Sequence, residues 1–184
     1  MIVVVMGSSG SGKSVFIEKV LKEKCSSEEN ICLMKNLIKA SESVESFIAN
    51  ERLIKESKSK AETDAKTLRT GIEIADCLSG FLSKFSKEQL ESDDLFVIDN
   101  PVKSYHQAKH VGNLLKDYSN VKLVSIENTR NDDDSLEKRD EAENLSFTRE
   151  WLPIRKTLEA ATGKKVIIVE NTDDGFKNYE QIFE

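Results

Sequence analysis

Four short apolar runs, each rich in β-branched residues, restrict this chain to one class of fold: IVVVM (2–6), LFVID (95–99), VKLVSI (121–126) and KVIIV (165–169). Each is followed by a turn signal and then by a helical pattern. A strand that is apolar along its whole length has to be covered on both faces. That is the pattern of parallel strands joined by helices, not of an antiparallel sheet with one wet face. A shorter run, ICLM (31–34), has the same character and supplies a fifth strand. With no repeat and no low-complexity segment, the 184 residues read as a single α/β domain, long enough for a full core.

Between ICLM and LFVID lie about sixty residues with no strand signal and no proline. Leu68, Ile72, Ala75, Leu78, Leu82 and Phe85 recur at helical spacing, with Thr63 or Asp64 placed to cap the start of that helix. Val44, Phe47 and Ile48 mark an earlier helix. A crossover between parallel strands needs one helix, so residues 36–90 read as a helical insertion standing on the sheet. Insertions at the carboxyl ends of strands face the ligand crevice, which favours substrate binding over a cap that only packs.

Charge and composition exclude other classes. A net charge of −6 lacks the basic face of a duplex DNA or RNA binder. No apolar run approaches the roughly 20 residues needed to cross a bilayer. A first strand at Ile2 leaves no room for a signal or transit peptide. Cys25, Cys32 and Cys77 lack the paired spacing of a zinc or redox motif and read as reduced, mostly buried thiols of a cytoplasmic protein. His106 and His110 are spaced i, i+4 but have no carboxylate or thiol pattern to complete a metal site, so they read as helix-surface residues. Trp151 and Phe147 read as helix-packing residues.

The first strand runs straight into GSSGSGKS, residues 7–14. Gly7, Gly12, Lys13 and Ser14 fit G-x-x-x-x-G-K-[ST], with the strand before and the amphipathic helix after that this phosphate loop requires. In such a loop Gly7, Ser8, Ser9, Gly10, Ser11 and Gly12 wrap closely and aim backbone N–H groups at phosphates, aided by the following helix dipole. Lys13 reaches the β- and γ-phosphates, and the Ser14 hydroxyl ligates Mg²⁺. LFVID ends in Asp99, the form of a strand whose aspartate holds the same Mg²⁺. Together these elements indicate an ATP and Mg²⁺ binder of the P-loop class, a three-layer fold. No N-K-x-D guanine-reading motif occurs.

The stretch DNPVKSYHQA (99–108) resembles the D-G-[FY]-P-R-x-x-x-Q-[AG] segment of the adenylate kinase and nucleoside-monophosphate kinase family, with Asp99, Lys103, Gln107 and Ala108 at matching positions. LIKAS (37–41) resembles the L-L-R-A-E that begins the family's monophosphate-binding helix, with Lys39 at the arginine. The proline-bearing helix around Trp151–Ile154, then GKKVIIVENTDD and a final helix, resembles the family's C-terminal end. The resemblance implies ATP-dependent phosphoryl transfer to a nucleoside monophosphate. It also implies an acceptor site of Lys39, Lys103 and Gln107 and a short lid over 127–147, with Arg130, Arg139 and Arg149 available and the last two the expected catalytic phosphate contacts.

The chain departs from the family where the acceptor should sit. Met34, Lys35 and Asn36 replace a T-G-D turn, and lysines 39 and 103 replace arginines. An ammonium is a point charge and lacks the bidentate fork of a guanidinium. Asn100, Pro101 and Val102 replace G-[FY]-P, and Asp132, Asp133 and Asp134 add an acidic run to the lid. Three readings follow: a phosphotransferase with an altered acceptor site, a weak or inactive nucleotide-binding module working in a protein assembly, and a small kinase with a non-nucleotide acceptor.

Overall fold

The computed structural model describes residues 1–8, 10–33, 60–129 and 141–184, and within these the side chains outside 60–70 and 141–150. Six strands form one sheet: β1 (Ile2–Met6), β2 (Ile31–Leu33), β3 (Phe96–Asp99), β4 (Val121–Asn128), β5 (Val166–Thr172) and β6 (Gly175–Lys177). Their order is β2-β3-β1-β4-β5-β6. The first five are parallel, and β6 runs antiparallel to β5.

Each predicted strand occupies its apolar run because successive side chains point to opposite faces and both faces are covered. Ile2, Val4 and Met6 of β1 join one core cluster with Phe96, Ile98, Val121 and Leu123. Val3 and Val5 join the other with Val97, Val124, Ile126 and Val169. All five residues of β1 are fully buried, and each such side chain contributes about 1.5–3 kcal/mol.

The first cluster is closed by α2 (Lys60–Leu82), α3 (Lys87–Glu91), α4 (Tyr105–Leu115) and α5 (Glu141–Thr162). The second is closed by the helical segment after the glycine loop: α1 (Lys13–Phe16), a π turn (Ile17–Leu21) and a 3-10 turn (Lys22–Lys24). Phe16, Ile17 and Leu21 point inward from it, and Ile182 of the C-terminal 3-10 turn (Tyr179–Ile182) completes that layer. Helices on both faces of the sheet make three layers.

Three sequence expectations need correction. The sheet has a sixth strand, because Asp174-Gly175 is a hairpin signal and Gly175 takes φ +114° to turn the chain back along β5. The expected closing helix is therefore only the 3-10 turn Tyr179–Ile182. Second, the helix read from Leu68 to Phe85 begins by Lys60, so Thr63 and Asp64 lie inside it and do not cap it. Third, its buried face carries Ile74, Leu78, Phe81 and Leu82, whereas Ile72 is 44% exposed. The helix tail is fixed by Phe85, whose ring meets Phe81 and Phe96 edge-on at 5.5 and 4.8 Å.

From residue 60 onward, the 36–90 insertion is thus α2 and α3, packed in the same layer as α4 and α5. The two ends of the 127–147 lid segment belong to β4 and α5, because β4 stays paired with β5 as far as Asn128. Ile154 and Leu158 of α5 are fully buried one turn apart, and Trp151 packs beside them as expected. Among the thiols Cys32 is buried, while Cys25 and Cys77 are half-buried, and all three are free. Burial pushes Cys25 up to about 11 and Cys32 up to about 12. No helix among the described residues is long and apolar enough to cross a membrane.

Candidate functional site

The glycine loop leaves the carboxyl end of β1, the strand flanked by β3 and β4 at the middle of the parallel sheet. Connections to β2 and β3 lie on one side of β1, and those to β4 and β5 on the other. That change of direction opens a crevice beyond the strand ends, where open α/β sheets bind ligands.

The backbone of the loop needs its glycines. At Gly7 a Cβ would lie 2.6 Å from the Ile126 carbonyl oxygen and 2.7 Å from Ser11 Oγ. Gly12 has φ +95° and stands directly before α1, where no side chain caps the helix. The first-turn N–H groups therefore remain open to an anion. Ser11 is fully buried, and its N–H donates to the Ser8 carbonyl at 3.3 Å. Ser14 is exposed on the first turn. Ser9 lies outside the described residues.

Lys13 opens α1, and its Nζ donates to the Gly7 carbonyl at 2.9 Å and to the Ser8 carbonyl at 2.5 Å. Burial lowers its pKa to about 8, against the raising effect of the Asp99 carboxylate and with a further lowering by the Lys103 ammonium. Lys13 from the loop and two charges from the stretch that ends β3 thus act on one another electrostatically. Asp99 comes near the loop because β3 pairs directly with β1, Val5 opposite Asp99, and the Asn100 N–H continues the pairing onto the Val5 carbonyl at 2.8 Å.

After Asn100, at φ +50°, the chain turns through buried Pro101 and Val102 to exposed Lys103. Ser104 then caps α4, accepting from the Gln107 N–H. Gln107 is 5% exposed, and its Oε1 accepts the Lys103 N–H at 2.6 Å. Its oxygen therefore holds the Lys103 turn against the helix start.

Ser14 and Asp99 fit a magnesium site in chemistry: both are hard oxygen donors, and such a pair leaves further positions to phosphate oxygens and water. Among the described residues no group of three or more His, Cys, Asp or Glu could hold a metal. His106 and His110 are both half-buried on α4.

The structure gathers the glycine loop, Lys13, Asp99 and Lys103, with Gln107 joined through the Lys103 backbone. Met34, Lys35, Asn36, Lys39, Arg130, Arg139 and Asp132, Asp133 and Asp134 lie outside the described residues, and Arg149 lies in α5 with its side chain outside them.

One residue at the loop escaped the sequence reading. Asn171, near the end of β5, is 4% exposed and donates from Nδ2 to the Ser11 carbonyl at 3.0 Å. A Cβ on Gly12 would lie 2.4 Å from that nitrogen, with the Phe176 ring of β6 behind it at 3.6 Å. The available signal was phase. Asn171 follows Ile167 and Val169 at a spacing of two, so it shares their sheet face, the one that α1 covers.

No protein-family model matches the chain, and no curated protein matches it.

Proposed function

We propose that this protein binds ATP with Mg²⁺ in the 7–14 loop and transfers the γ-phosphoryl group to a nucleoside monophosphate. The observation that carries the reading is the glycine loop leaving the carboxyl end of central strand β1 directly into Lys13 and α1, with Asp99 of β3 paired opposite Val5 beside it. Phosphoryl transfer asks little covalent chemistry of a protein. It asks for positioning and for positive charge where negative charge accumulates.

In this reading the loop N–H groups and Lys13 hold the donor's β- and γ-phosphates. Ser14 and Asp99 hold the magnesium, which would neutralise phosphate charge when bound. Lys103 serves the acceptor phosphate together with Lys39, and Arg139 and Arg149 bring charge to the transferring group. The fold is then a P-loop kinase of three layers, with 36–90 serving the acceptor and 127–147 a short lid.

A second reading is favoured by Gln107. Its oxygen is engaged by the Lys103 N–H, so the side chain reads as a structural tie for the turn. A module that binds ATP without turning over a monophosphate, serving in an assembly, would keep the loop and use Gln107 only in this way. An acceptor other than a nucleotide would also leave Gln107 to this task.

A coupled assay of ATP with AMP, UMP, CMP and dTMP, run beside calorimetric ATP binding, separates these. Turnover with one monophosphate supports the first reading. ATP binding without turnover above background overturns it in favour of the second.

A further inference from the structure

We propose that Asn171 is a positioning residue for phosphate binding: its side-chain amide fixes the peptide plane between Ser11 and Gly12 so that the Gly12 N–H faces the ligand. This inference rests on the reading of residues 7–14 as a phosphate loop.

The geometry is specific. Asn171 Nδ2 donates to the Ser11 carbonyl at 3.0 Å across a separation of 160 residues. The peptide bonds are trans, so the carbonyl of Ser11 and the N–H of Gly12 lie in one rigid plane and point in opposite directions. Pinning the carbonyl toward β5 turns the Gly12 N–H away from β5. Among the described residues that N–H donates to no backbone acceptor, whereas Ser11 donates to Ser8 and Phe16 to Gly12. Backbone N–H groups oriented outward in this way are what an anion concavity is made from.

Burial makes the choice of asparagine costly. Ile167 and Val169 precede it on the same face, and a third aliphatic residue would bury there without penalty. Among the described residues Asn171 Oδ1 accepts no hydrogen bond, so the bond to Ser11 is the amide's compensation. Polar groups kept in apolar surroundings against local preference mark positions where function decides. The fit is mutual, since a Cβ at Gly12 would strike the amide nitrogen at 2.4 Å.

The β5–β6 hairpin supplies the rigidity. Asn171 pairs with Phe176 across it, and its carbonyl accepts the Thr129 N–H at 3.0 Å, tying β4, β5 and β6 together at this level. Phe176 stacks edge-on against Phe16 of α1 at 5.0 Å. The anchor therefore stands on a three-strand platform and not on a free loop.

The test uses the full ¹⁵N-labelled chain titrated with tripolyphosphate, followed at the Gly12 amide, with hydrogen exchange measured at Ser11. Asn171→Asp keeps the shape but sets an oxygen against the Ser11 carbonyl, and Asn171→Ala serves if the carboxylate prevents folding. Leu158→Ala, buried in the opposite layer, controls for lost stability. The expected result is an affinity about tenfold weaker in the Asn171 variant, faster exchange at Ser11, and a smaller Gly12 shift. Leu158→Ala should lower Tm and leave affinity unchanged.

Wild-type affinity in the Asn171 variant, or an equal loss in Leu158→Ala, overturns the proposal. If the wild type shows no tripolyphosphate-dependent shift, the phosphate reading itself falls. Accelerated Ser11 exchange in the variant would then reduce Asn171 to a purely structural tie.

Discussion

Lys13 joins the chemistry of the site to measurable pH behaviour. Its pKa stands near 8 because burial opposes the ammonium more strongly than Asp99 supports it. Phosphates brought beside it favour the charged form, so binding should take up a proton and ATP affinity should fall as pH rises through about 8. Calorimetry in buffers of different ionisation enthalpy measures that proton, and Lys13→Met should remove it along with transfer. The same depression has a consequence for folding. The unfolded chain holds this proton up to its ordinary value of 10.5, so the Lys13 contribution to stability rises with pH between about 8 and 10.5 and is absent below. Denaturant titrations of wild type and Lys13→Met across that window should diverge accordingly. Gly12→Ala meets both a left-handed φ and the Asn171 amide, and should cost about 1–3 kcal/mol in a thermal melt. If Lys103 is the acceptor's cation, Lys103→Arg, restoring a bidentate fork, should raise the transfer rate. An unchanged or lower rate would contradict that role.

At the scale of elements, the five parallel strands were legible because a strand apolar along both faces has few other places to go. Ser104 caps α4, and Ser104→Ala should cost about 1 kcal/mol by leaving the Gln107 N–H uncapped. The inward face of α2 was only half legible. Apolar residues at helical spacing include Ile72, but the tight packing of α2 on α4 at Gly71, where a Cβ would lie 3.0 Å from His110, turns Ile74 and Leu78 to the core instead. Leu78→Ala should therefore cost about 2–5 kcal/mol and Ile72→Ala far less, compared by urea unfolding. β6 was missed because three residues carry little pattern, although Asp174-Gly175 marks the turn that makes it.

For the molecule as a whole, the glycine loop was written in contiguous sequence and what surrounds it was not. Residues 7–14 form one loop, and a local motif can announce a local structure. Asp99 and Lys103 join it only through the pairing of β1 with β3, and Asn171 only through β5, two strands away. No spacing in the sequence encodes those distances. Asn171 is the clearest case: its place beside Gly12 depends on the packing of α1 against β5 and β6, and a single asparagine at a strand end carries no such signal alone. The proposed acceptor side rests on a departure, two lysines where a similar pattern has arginines, and Lys39 lies outside the described residues. In the proposed function Lys13 and Lys103, beside Asp99 in the field at the loop, serve transfer between two nucleotides. The most direct measurement is the coupled assay with MgATP and each of AMP, UMP, CMP and dTMP, with Lys13→Met as the blank. Turnover with at least one monophosphate, abolished by Lys13→Met, is the expected result. ATP bound by the wild type with no turnover above that blank for any of the four would contradict it.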